Sequence, residues 1–257
     1  MLNYMKSEWY RLTHGKEIYV MTAVMSGLVL AMNIVLALGN RYIPDFRYGT
    51  FRFSLNIFTS ASYYMLVIAA FVGAYLYADD IKNGVMKNAI AYGIPRVRIL
   101  LGKCIISFIF SLLMLIAIFV VYVGSAYLLL KEPEILPLVE MVKAILSALP
   151  SAAAALIFMI VLKTICAKDI VAVLWWAVVF YIIPTVCFFV GLKIEFAEKI
   201  SEWMPYVFLQ MKNLVTYSDY NCLWDTAEGL TRCILGGIAW ILVVLAFGLR
   251  KAGRQEY

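Results

Sequence analysis

Uncharged apolar runs separated by short charged stretches set the pattern of this chain. A bilayer-spanning helix needs about 20 consecutive, mostly apolar residues. Six stretches meet or approach that length: Ile18 to Leu38, Ile57 to Ala78, Cys104 to Leu130, Ala144 to Leu162, Ile170 to Leu192 and Cys233 to Leu249. The expectation is an all-α, polytopic membrane domain of six spans occupying residues 1–257 as a single unit. Pro150 and Pro184 fall within or at the ends of spans four and five and should bend them. The small-residue run "AAFVGA", Ala69 to Ala74, offers a flat helix face suited to close packing.

The polar intervals have patterns of their own. In "MLNYMKSEWYRLTHGK", Leu2, Met5, Trp9 and Leu12 recur at helical spacing with Lys6 and Arg11 between them, as in a helix lying along a membrane surface. These residues carry charge throughout and no apolar h-region, so no removable leader is expected. Between spans two and three, "YADDIKNGVMKNAIAYGIPRVRILLGK" gathers Asp79, Asp80, Lys82, Lys87, Arg96, Arg98 and Lys103. Ile81, Val85, Met86, Ala89 and Ile90 share one helical face of this insert. Asp79 and Asp80 suit its N-terminus, and Gly93 suits its stop. Pro95 suits the first turn of the next helix. Connections between helices are commonly about 2–8 residues, so a structured insert this long reads as a contact surface; the plain alternative is a solvated loop. Between spans five and six, "FAEKISEWMPYVFLQMKNLVTY" holds two helical pieces broken at Pro205, an expected external cap.

Composition supports the membrane reading. The chain is 64% hydrophobic and 15% charged, whereas soluble domains carry about 25% charged residues. Placing both termini inside puts 13 of the 22 Lys and Arg residues on the inner side and nine outside, the bias of the positive-inside rule. The net charge of +6 then reflects topology, and no nucleic-acid motif accompanies it.

Candidate chemistry is sparse. The span cores hold no acidic, basic or histidine residue of the kind that ion-coupled transporters use. Asn33, the most polar residue of span one, reads as interhelical glue or as a substrate contact. Trp175, Trp176, Phe180 and Tyr181 read as lipid-facing or packing aromatics, or as the edge of an apolar substrate cavity. His14 is the only histidine, so neither a metal site nor a base-activated nucleophile is expected. A P-loop fails in "VRILLGKC", where Val97 replaces the first glycine and Cys104 follows the lysine. Five cysteines without a C-x-x-C pair read as free thiols, although Cys222 and Cys233 could join outside the cell.

A membrane protein with no energy source of its own points to a partner. "MKSEWYRL" from Met5 to Leu12, the acidic pair ending span two, Asn83-Gly84 and "YGIPRVRILLGK" from Tyr92 to Lys103 occur in an order that resembles the ABC-2 type permeases, the membrane subunits of ATP-binding-cassette exporters. The likeness runs over nearly the full length; family members often carry glutamate where Asp79 or Asp80 stands. It implies that the insert is a coupling helix docked on a separate ATPase subunit, with contacts from Asp80, Lys82, Asn83, Lys87 and Asn88, and an outer contact from Arg96. Glu8 and Arg11 would support that junction from the N-terminal helix. ATP and magnesium would bind the ATPase subunit, leaving this chain without cofactor or catalytic residue. A second permease chain would complete the pathway, and spans one, two and five would tilt around it. Permeases of this size resemble exporters of amphipathic peptides such as phenol-soluble modulins, or immunity proteins against lantibiotics and bacitracin, in the bacterial plasma membrane. The alternative is a non-transporting sensor or assembly factor that docks a partner through the same 79–98 insert.

Overall fold

The computed structural model describes residues 2–82, 89–166, 168–210, 213–216 and 219–254. Within them the chain is overwhelmingly helical. Helix α1 is Leu2–His14, α2 Glu17–Tyr42, α3 Phe51–Ser60, α4 Tyr64–Lys82, α5 Arg96–Leu129 and α6 Ile135–Ile165. Then come α7 (Asp169–Ala177), a π-helical turn (Val178–Ile182), α8 (Ile183–Gly191), α9 (Glu195–Ser201), α10 (Pro205–Phe208) and α11 (Ala227–Arg254). Two short strands, β1 (Asn213–Thr216) and β2 (Asp219–Asn221), pair antiparallel before α11.

Among the described residues, five helical stretches are long and apolar enough to cross a membrane, and the bent α3–α4 pair makes a sixth if taken as one span. In hydrocarbon every backbone N–H and C=O needs an internal partner, and a helix supplies them all. The helices outrun the uncharged segments. At about 1.5 Å per residue, the 34 residues of α5 exceed a hydrocarbon core of about 30 Å. Its charged first turns, with Arg96, Arg98 and Lys103, are the part least suited to such a core.

Span two departs most from expectation. Instead of one helix over residues 57–78, α3 and α4 meet at a 71° bend across Ala61–Tyr63. Local bonds serve the break: Tyr64 N donates to Ala61 O, Met65 N to Ser62 O and Leu66 N to Tyr63 O.

Helix α6 is the central post. Of its most apolar window 78% is buried, against 17–28% for the other four long spans. Small residues explain the position: Ser147, Ala148, Ser151 and Ala152–Ala155 keep its surface low. A Cβ added at Gly73 of α4 would stand 3.0 Å from Leu156 O, and one at Gly237 of α11 would stand 2.6 Å from Pro150 Cβ. The small-residue face of span two therefore lies against α6, and Pro150 sits inside a continuous helix rather than ending it. Pro184 has a larger effect. It cannot donate to Phe180 O, and the preceding turn widens so that Ile183 N bonds Val178 O.

The connection between spans five and six contains the two helical pieces expected around Pro205, together with the β1–β2 pair. It is clamped onto the bundle. Ser62 Oγ donates to Leu209 O at 3.2 Å and Trp240 Nε1 to Trp203 O at 3.1 Å. Arg232 donates to Glu202 Oε2 at 2.7 Å with its guanidinium over the Trp203 ring. Tyr206 makes edge contacts with Tyr63, at the α3–α4 break, and with Tyr181, in the π turn.

Candidate functional site

The N-terminal helix is docked. Helix α1 forms over the amphipathic stretch, but its apolar side turns onto α5 rather than only toward a membrane surface. Leu12 is buried, Trp9 meets the Phe110 ring at 4.8 Å, and the Tyr4 ring lies where a Cβ on Gly102 would be 2.9 Å away. Lacking that Cβ, Gly102 lets α1 approach.

At this seat lies a buried ionic cluster. Glu8 is 3% exposed and Lys103 4% exposed. Lys103 Nζ donates to Glu8 Oε1 at 3.0 Å, and the Tyr4 hydroxyl donates to the same oxygen at 2.7 Å. Arg11 Nη2 and Nε donate to Glu8 Oε2 at 2.8 and 3.2 Å. The Lys103 ammonium also stands 5.1 Å from the centre of the Tyr77 ring, near the end of α4. Burial pushes the Glu8 carboxyl up, but Lys103, Arg11 and the two hydrogen bonds at Oε1 outweigh it and hold the carboxyl below its ordinary range.

The Glu8 carboxylate thus ties α1 to the N-terminal turns of α5, and Lys103 carries the contact on to the C-terminal turns of α4 through the Tyr77 ring. These are the two stems of the 79–98 insert and the helix beside them. Its return stem is described from Ala89, where Gly93 takes φ +79 and Gly93 N bonds Ile90 O. Pro95 is the N-cap of α5 rather than its first-turn residue. The proposed docking residues Asn83, Lys87 and Asn88 lie outside the described residues. Asp80 and Lys82 belong to the last turn of α4, of which the backbone alone is described. Arg96 opens α5 on the other stem.

The family resemblance singled out Glu8 and Arg11 as supports of an ATPase-docking junction; the buried cluster they form with Lys103 and Tyr4 was not foreseen. The available signal was that Glu8 is the only acid among the first sixteen residues, while Lys103 is the last charge before a long uncharged run.

The cavity candidates are dispersed. Asn33 is fully buried and hydrogen-bonded: Nδ2 donates to Ser125 Oγ at 2.7 Å and to Tyr122 O at 3.1 Å, while Oδ1 accepts from Ser54 Oγ at 2.7 Å. That network ties α2, α3 and α5 together. Trp176 stacks on Phe180, which packs against Phe158 and Trp240. Trp175 and Tyr181 are exposed on the outer surface of span five.

A second buried lysine, Lys163 at the end of α6, pairs with Asp169 at the start of α7. The five cysteines are all free. No group of three or more potential metal ligands occurs among the described residues. No protein-family model matches the chain, and no curated protein matches it.

Proposed function

We propose that this chain is the permease subunit of an ATP-driven exporter, worked by a separate nucleotide-binding subunit that docks on the 79–98 insert. The observation that carries this reading is the buried Glu8–Lys103 junction. It fastens the N-terminal helix to both stems of the insert, so a push on the insert moves α1, α4 and α5 as one body. Buried ion pairs need close geometry to offset desolvation, and such geometry also makes a stiff joint. The order of "MKSEWYRL", the acidic pair and "YGIPRVRILLGK" supports the same reading. Both termini lie on the cytoplasmic side of a bacterial plasma membrane in this scheme. A second permease chain completes the pathway, and the cargo is an amphipathic peptide that partitions into the bilayer.

The test is reconstitution. The chain purified from native membranes should bring an ATPase with it, and vesicles holding both should move a labelled amphipathic peptide only when ATP is supplied. Replacing Asn83 and Lys87 together by glutamate should uncouple hydrolysis from movement. Transport by the purified chain alone would overturn the reading. A stable complex with a cytoplasmic partner that moves no peptide would replace it with the sensor reading.

A further inference from the structure

Midway along the spans, α2, α4, α5 and α6 leave a cavity of about 220 Å³. Its walls include Met21 and Met25 of α2, Met65 of α4, Met114 of α5 and Ala153 of α6. Among the described residues Ser111 is the sole polar one lining it, and its hydroxyl donates to Phe108 O at 2.7 Å. The gap arises because α2 packs chiefly on α5 and α4 chiefly on α6, so α2 and α4 touch little. Two lining residues, Leu28 of α2 and Ile68 of α4, are 61% and 40% exposed. Both lie within the apolar stretches of their helices, so on the membrane reading this exposed side of the cavity meets hydrocarbon.

We propose that this cavity binds one linear hydrocarbon chain entering from the bilayer. Water is a poor occupant, since it needs two to four polar partners and the wall provides almost none. A polar ligand meets the same obstacle. An empty space forfeits dispersion contacts along its lining, and apolar cavities of about 150 Å³ are already large enough to take up small apolar molecules. Four methionines, unbranched and polarizable, form walls that adapt to a flexible tail. A phospholipid acyl chain and the tail of a free amphiphile present the same chemistry. The assignment uses no residue of the ionic junction and holds for a permease or a sensor alike.

Photolabelling tests it. The full chain is purified in a sterol-based detergent, which brings no linear tail. One arm receives a long-chain fatty acid carrying a diazirine, the other a phospholipid with the diazirine in an acyl chain. The expected result is saturable labelling at Met25, Met65 and Met114, displaced by excess unlabelled fatty acid or phospholipid. Labelling in either arm supports the site, and the arm names the source. Ala153→Phe, which fills the cavity, should lower labelling by about tenfold, as overpacking disfavours the bound state. Ala69→Leu serves if that variant fails to fold, and saturation and displacement in the unaltered chain decide the matter on their own. Labelling that rises linearly with probe in both arms, or falls on outward-facing Val24 and Leu113 and is indifferent to the filling variants, would overturn the proposal.

Discussion

Glu8 accepts hydrogen bonds from Lys103, Tyr4 and Arg11 in a seat almost closed to solvent. Removing one member of a buried pair strands the other charge and costs about 3–5 kcal/mol, whereas replacing both by apolar groups is often neutral. Glu8→Leu and Lys103→Met should each lower the thermal midpoint strongly, and the double variant should recover most of the loss. Equal additivity in melting experiments would show that the two residues act independently. Acid should act through the same carboxyl. Against the opposing effect of burial, Lys103 and Arg11 hold its folded-state pKa below the ordinary glutamate value. The stability it contributes is therefore present above the ordinary value and lost as pH falls through the lower folded one. Melting curves taken downward from pH 6 should show an acid-side decline that flattens in Glu8→Gln. The pair was not legible beforehand, because 95 residues separate its partners and no local pattern joins them. Asn33 was partly legible. Its polarity within an apolar run announced an interhelical bond, while its partners Ser54 and Ser125 came only with the packing.

At the scale of elements, the spans were legible wherever charge bounded an apolar run. They were misjudged where a helix continued through charge. Helix α6 begins at Ile135 rather than Ala144, because Glu140 and Lys143 sit on helical turns outside the apolar stretch. Helix α5 also carries Arg96, Arg98 and Lys103 in its opening turns, but there Pro95 had marked the helix start to within one residue. The break in span two had no proline or glycine to announce it; Ser60, Ala61 and Ser62 are ordinary helix residues held in a bend by tertiary contacts. At Pro184 the sequence announced a bend but not its form, a π turn over Val178–Ile182. The closest helix crossing makes a sharp prediction. Gly237→Leu drives a side chain into Pro150 and the Ser151 backbone, and overpacking of this kind costs about 1–3 kcal/mol. Helix α11 should loosen from α6, seen as earlier thermal unfolding. Gly253→Leu, where an added Cβ meets nothing within 4 Å, should leave the midpoint unchanged.

For the whole molecule, the topology proposed from charge bias fixes which loops face which compartment. In a variant with the five native cysteines replaced, Glu134→Cys should react with a membrane-impermeant maleimide in intact cells. Lys168→Cys should react only after permeabilisation. Both positions are exposed and cap helices without side-chain bonds, so the substitutions are mild. The reverse pattern would invert the proposed orientation and place the insert outside, where no ATPase could reach it.

Ser62, at the kink of span two, donates its hydroxyl to Leu209, 147 residues further along. A ribosome adds about 5–20 residues per second, so this kink enters the membrane roughly 7 to 30 seconds before its partner exists. During that interval α3 and α4 lack their tether to the cap. The early-made span thus stands without this cross-tie until a segment far along the chain has been synthesised.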